Sequence, residues 1–211
     1  MPAEGFGARP HAANAMKIAK IVSSNSHIAY IARILEGRDG EGVPAADDYG
    51  FGRFVAMPGD DGAVIGVICD SRLVNPEYMN NSPRTPSTPA LGGLRQDVAG
   101  EKKALIGILL LGTAHADGTS VQSIPERVIP AGQYVFTLEQ EAIDGFHHGT
   151  DGSVQLHYFP NLLANAGSLA VPLARTMIGQ ITGGCSESDR QRLAVMANAL
   201  QWKQTFGNMS L

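Results

Sequence analysis

The sequence has little that ties a chain to a membrane, an oxidising compartment or a polyanion. It holds only two cysteines, Cys69 and Cys185, far apart. A chain of 211 residues builds a core without disulfides, so a reducing compartment is expected. No run approaches the roughly 18 uninterrupted apolar residues of a membrane span. The opening MPAEGFGARPHAANAMKIAK lacks the apolar centre of a signal peptide, which gives the expectation of a soluble, cytoplasmic protein with no membrane partner. Sixteen Lys+Arg against twenty Asp+Glu leave a net charge of -4, too little basic excess for a general binder of duplex backbones. Aromatics are scarce at 6%, whereas 25 glycines and 12 prolines suit short strands joined by tight turns.

Residues 1–15 mix small residues, Gly and Pro without a period and read as a flexible arm. From Lys17 the chain turns β-like, with KIAKIV and HIAYIARIL separated by a Ser23-Ser24-Asn25-Ser26 turn. FGRFVAM and AVIGVICD flank a Pro-Gly-Asp-Asp-Gly turn and predict a hairpin with Asp61-Gly62 at its tip. Residues 80–103 carry Pro83, Pro86 and Pro89, which forbid a regular ladder and predict a long mobile insertion. KALIGILLLGTA predicts a strand covered on both faces, and GQYVFTL another. Glu139 to His147 suits a short helix, and VQLHYF alternates like a strand, with Val154, Leu156 and Tyr158 on one face. SLAVPLARTMIGQI reads as a further strand, followed by a Gly-rich turn and a helix from Ser186. Ser186 and Asp189 have capping-box spacing, with Asp in place of Glu. The expectation is a mostly β chain: a barrel over 16–145 with its insertion, then a β segment and one C-terminal helix over 146–211.

AKIVSSNSHIAYIARI, DYGFGRFVAM, GAVIGVICDSRLVNPE, LIGILLLGT and IPERVIPAGQYVFTLEQEAI, taken in order, resemble the N-terminal barrel shared by HerA-type DNA translocases and rotary ATP synthases. The resemblance spans roughly residues 17–143, broken by the Pro-rich insertion. It implies a small six-stranded barrel that serves as an assembly element above a ring of motor domains and carries no catalytic residues. It also implies a homo-oligomer, or a partner such as a motor ATPase or nuclease subunit, with nucleic acid met only indirectly.

A phosphate-binding loop follows that barrel in the motor proteins. Here Gly179, four residues, Gly184, Cys185 and Ser186 reproduce G-x-x-x-x-G-K-[ST] with Cys185 in the lysine position. That lysine supplies positive charge to the β- and γ-phosphates, and a thiol does not. Two readings stand: a degenerate phosphate loop between a strand and a capped helix, or an ordinary glycine turn feeding a helix cap. Only 25 residues follow Ser186 in this sequence, too few for a Walker-B acid, a water-positioning residue and an arginine finger, so no ATPase is expected.

The remaining polar residues converge less. His147, His148 and His157, like His115 with Asp117, lack cysteines nearby and read as exposed loop residues rather than metal ligands. Glu139 and Glu141 read as solvated, and Cys69 as a small apolar core residue. No metal and no cofactor is expected. The C-terminal helix carries two apolar stripes: Leu193, Met196, Ala197 and Leu200 on one side, Val195, Ala199, Trp202 and Phe206 on the other. A surface helix needs one, so the second is either a contact surface for another chain or is buried within its own. The expected function is noncatalytic assembly or docking. The rival is a nucleic-acid-binding small barrel, and a third possibility, an enzyme, requires a convergent polar pocket.

Overall fold

The computed structural model describes residues 15–37, 42–74, 103–149 and 152–206, without the side chains of 103 and 203–206. The strands are β1 (Lys17–Ser24), β2 (Ala29–Ile34), β3 (Phe54–Gly59), β4 (Gly62–Val74), β5 (Lys103–His115), β6 (Ser120–Val121) and β7 (Tyr134–Thr137). The α-helices are α1 (Gln140–His147), α2 (Phe159–Asn165), α3 (Ala170–Ile181) and α4 (Glu187–Phe206). The N-terminal arm and the Pro-rich insertion expected at 80–103 lie outside the described residues, except that Lys103 opens β5.

Every strand pairing is antiparallel. The sheet order is β2-β1-β7-β3-β4-β5-β6, and β2 also pairs with β5, closing six strands into a barrel with β6 as a flap on β5. Closure depends on β4 and β5, thirteen residues each, which are long enough to turn a corner. Register shifts at Ile65/Gly66 and Ile68/Asp70 in β4 bend it where a flat ladder would not curl. Gly66 is required at the first: a Cβ there would lie 2.8 Å from the Ile108 side chain. Ile18, Phe54, Ile65, Ile68, Ile108 and Val135 are buried, and one apolar core runs from the barrel into the helices.

The expectation of a β-dominated chain with a single helix is corrected: among the described residues there are four α-helices, in about equal share with strand. SLAVPLARTMIGQI is a 3-10 turn (Gly167–Leu169) followed by α3. Ala170, Leu173, Ala174, Met177, Ile178 and Ile181 are buried at intervals of three and four, the period of one helix face. Pro172 falls in the first turn, where a missing N–H costs nothing. VQLHYF forms no strand either. Val154 makes one isolated bridge to His148, and Tyr158 caps α2. Burial does not alternate along VQLHYF: Val154 and Tyr158 are buried, Gln155 and Leu156 half-buried and His157 exposed, with a turn at His157 and Tyr158 leading into α2.

Candidate functional site

The Gly179–Ser186 segment is not a phosphate loop in this fold. Gly179 lies inside α3, Gly184 ends a 3-10 turn (Thr182–Gly184), and helix rather than strand leads into the turn. Cys185 is buried, its thiol donates to the Ile181 carbonyl at 3.1 Å, and its pKa is raised, first by burial and then by the charges of Asp189 and Asp144. Ser186 Oγ accepts from the Asp189 N–H at 3.2 Å and donates to Asp189 Oδ2 at 2.7 Å, so Ser186 starts α4 through the Ser–Asp pairing. Gly184 is needed because the Asp144 carboxylate packs on it; a Cβ would sit 2.7 Å from Asp144 Oδ2. A carboxylate already held there repels a phosphate.

The histidines divide. His148 is half-buried and His157 exposed, but His147, expected in an exposed loop, is fully buried. It packs edge-on against Phe54, Phe146 and Tyr158 at centroid distances of 5.1, 5.1 and 5.6 Å. Its Nδ1 is 2.7 Å from the Ile143 carbonyl, which only accepts, so Nδ1 carries the proton. Nε2 is then the acceptor for the Tyr158 hydroxyl at 2.8 Å. Burial pushes the imidazole pKa from 6.5 down to about 4, and burial raises that of Tyr158. Beside this pair Gln122, also buried, uses both donors and its oxygen: Nε2 donates to the Phe146 and Gln155 carbonyls, and Oε1 accepts from the His157 N–H. This cluster clamps α1 and α2 onto the barrel and faces no solvent.

The other candidates are local. Asp117 accepts from the Thr119 N–H and hydroxyl, and those bonds lower its pKa. His115 lies 3.6 Å from Asp61 across the β3–β4 hairpin tip. No group of metal-ligating side chains occurs among the described residues. Cys69 is half-buried, with its thiol pushed up to about 11 by burial first and then by Asp70. One polar cleft of about 300 Å³ opens between the barrel and α1, lined by Arg53, Asp48, Glu139, Gln140 and Gln180 among others, with no histidine or cysteine.

The two stripes of α4 separate as its periodicity predicts. Leu193 and Leu200 are buried, and Met196 and Ala197 half-buried, with α4 lying against α3. Asp189 extends this buried side, neutralised by Arg192 at 3.1 Å. Val195 and Trp202 are 69% and 66% exposed, and Ala199 is exposed between them. The side chain of Phe206, the fourth residue of that stripe, is outside the described set. Along the arc from Ala194 through Asn198, Gln191, Trp202 and Val195 to Ala199 the one charge is Glu187 in the first turn, and from Gln191 to Trp202 the arc holds none, which is unusual for a solvent face.

Gln122 and its neighbours escaped the sequence reading, because a glutamine between two loops carries no pattern. The barrel's aromatic exterior did too. A register shift between Lys17 and Ala19 turns both Ile18 and Ala19 inward, leaving Lys17 and Lys20 outside with their ammonium groups 4.6 and 4.8 Å from the Tyr134 ring centre.

Fold and candidate sites together define a small closed antiparallel barrel flanked by a helical layer that presents a helix face with little charge. No helix among the described residues is long and apolar enough to cross a membrane. The chain belongs to the family described as Domain of unknown function (DUF8166), whose model matches residues 7–210. No curated protein matches it.

Proposed function

We propose that this protein is a noncatalytic assembly or docking module, comparable in role to the N-terminal barrel of HerA-type translocases. Its contacts are either with further copies of itself or with a motor ATPase or nuclease subunit. The observation that carries this reading is the outward face of α4. Val195, Ala199 and Trp202 stand exposed on the side opposite the stripe that already holds the helix to α3. Faces with little charge and an exposed tryptophan are what contact surfaces use, since aromatic anchors supply much of the binding energy. Support comes also from the buried thiols and imidazole among the described residues, none of them activated: both thiols have raised pKa values and His147 is spent on Tyr158.

The test replaces Trp202 and Phe206 by Ser. Light scattering of the wild type, alone and with native extract, gives the assembled mass. The double variant is expected to give a smaller particle with unchanged circular dichroism. Loss of the β signature instead places the stripe inside the chain's own fold, and a wild type that assembles with nothing removes the reading.

A second reading, direct binding of single-stranded nucleic acid, is favoured by one feature, the two ammonium groups around Tyr134. It requires a salt-sensitive gel shift that Lys20→Ala weakens.

A further inference from the structure

The loop between β6 and β7 is fixed at three points, one to α1 and the link that follows it and two to the barrel. Gln122 is held by three hydrogen bonds, the Pro125 carbonyl accepts from His27 Nε2 at 2.7 Å, and the Ile129 N–H donates to the Tyr30 hydroxyl at 3.2 Å. Gln122, Pro125 and Ile129 are buried. The residues between these anchors point outward as a consequence: Val121 and Ile124 are each 48% exposed, Val128 is 64% exposed, and Glu126 and Arg127 stand among them. Three exposed branched aliphatics within eight residues of an immobilised loop form a preorganised surface, with little ordering cost left for binding.

The charges say what fits it. Arg127 lies flat on the β3–β4 hairpin: a Cβ at Gly59 would collide with its Nη1, so glycine there makes room for the guanidinium. Neither Arg127 nor its neighbour Glu126 has an ion-pair partner among the described residues. An acid and a base adjacent in sequence, both without an ion-pair partner among the described residues and with exposed aliphatics before and after them in the loop, are self-complementary. Under a two-fold axis Glu126 of one copy faces Arg127 of the other, twice, while Ile124 and Val128 pack between. A partner of one charge sign satisfies only one of the two.

We infer that the loop over residues 121–128 is a two-fold contact with a second copy of this chain. This goes beyond the α4 reading and uses a separate surface. One loop covers less than the ~800 Å² per partner of a standard interface, so the dimer is weak and concentration-dependent.

The experiment is sedimentation of the full chain, from low micromolar to its highest soluble concentration, in the wild type and in the Trp202→Ser, Phe206→Ser background, which removes any contact through α4. Glu126→Arg and Arg127→Glu are each expected to weaken the dimer at least about tenfold, because each sets like charges face to face. The double variant E126R/R127E restores it to within about threefold, since it only exchanges the two sides. Val128→Glu, at a position with no hydrogen-bonding duty, weakens it independently. Circular dichroism of every variant should match the wild type. A monomer at all concentrations, single variants that dimerise like the wild type, or a double variant that fails to recover each overturns the inference.

Discussion

Acidification from pH 7 to pH 4 should destabilise this protein through His147. In the native state the imidazole is buried among Phe54, Phe146 and Tyr158; burial outweighs the Ile143 carbonyl and the Asp144 carboxylate, which favour its charge, and its pKa falls from 6.5 to about 4. The unfolded chain binds the proton at 6.5 and the native chain only near 4. Stability is therefore fully present above pH 6.5, falls as the pH drops from 6.5 towards 4, and loses nothing further to this group below 4. The difference of 2.5 pH units at 1.36 kcal/mol each gives about 3 kcal/mol, a large part of the 5–15 kcal/mol typical of a domain. Asp117 acts elsewhere: its lowered pKa makes its contribution fade only as the pH falls below about 3.8.

Urea unfolding at half-unit steps of pH measures the slope. The control is H147F/Y158F, which removes the imidazole and the hydroxyl together, so that neither is left buried without its partner. Its stability should run nearly level from pH 6.5 to 4 where the wild type loses about 3 kcal/mol. Should the control fail to fold, the ring carbons of His147 titrating near pH 4 by NMR, and nitrogen shifts placing the proton on Nδ1 at neutral pH, give the same answer. A wild type whose slope equals that of the control, or a His147 that titrates near 6.5, would refute the reasoning.

Other expectations are more local. Gln122→Leu strips the partners from two buried carbonyls and one N–H and should cost about 3 kcal/mol by urea unfolding, against near zero for the exposed Ser123→Ala. Gly184→Ala should destabilise by about 1 kcal/mol through the Asp144 carboxylate, and adding Asp144→Ala should recover most of it in a double-mutant cycle. Ser23→Ala should be neutral or slightly stabilising, because the Ser23 hydroxyl is buried without a hydrogen bond. Neither the purified chain nor Cys185→Lys should turn over ATP above a vector-control preparation, since one ammonium group does not dislodge Asp144 or bring a metal ligand.

The strands were legible wherever local patterning and tertiary role agreed. KALIGILLLGTA is uninterrupted because β5 faces the barrel interior on one side and the helical layer, through α2, on the other, and consecutive residues from Ile108 to Leu111 are buried. The hairpin announced itself through its turn, and α1 through its spacing. α3 is hard to read from sequence because AVPLARTMIGQI contains Val, Thr and Ile, and its proline resembles a helix breaker. The better signal was the interval between Leu173, Ala174, Met177, Ile178 and Ile181. The burial of His147 was not legible, because it depends on Phe54 from β3 and Tyr158 from beyond the helix meeting over one ring. The anchors of the 121–128 loop were hidden for the same reason: His27 and Tyr30 lie about a hundred residues earlier in the chain.

α4 brings the fold and the proposed role into one measurable contrast. A helix held by a single stripe leaves its opposite face free to evolve, and in a helix with only solvent to face, that side ordinarily fills with Lys and Glu. Here, past Glu187 in the first turn, the arc around Trp202 and Val195 holds Ala, Asn and Gln instead, although charged residues flank it at Arg190, Arg192 and Lys203. The two stripes must then respond differently to truncation. Leu193→Ala creates a cavity beside α3 and should cost about 2–5 kcal/mol of stability. Val195→Ala, at a residue 69% exposed, should cost less than about 0.5 kcal/mol and act only on association. Equal losses of stability at both positions would mean that the outward stripe is packed within its own chain, and the docking role would lose the observation on which it stands.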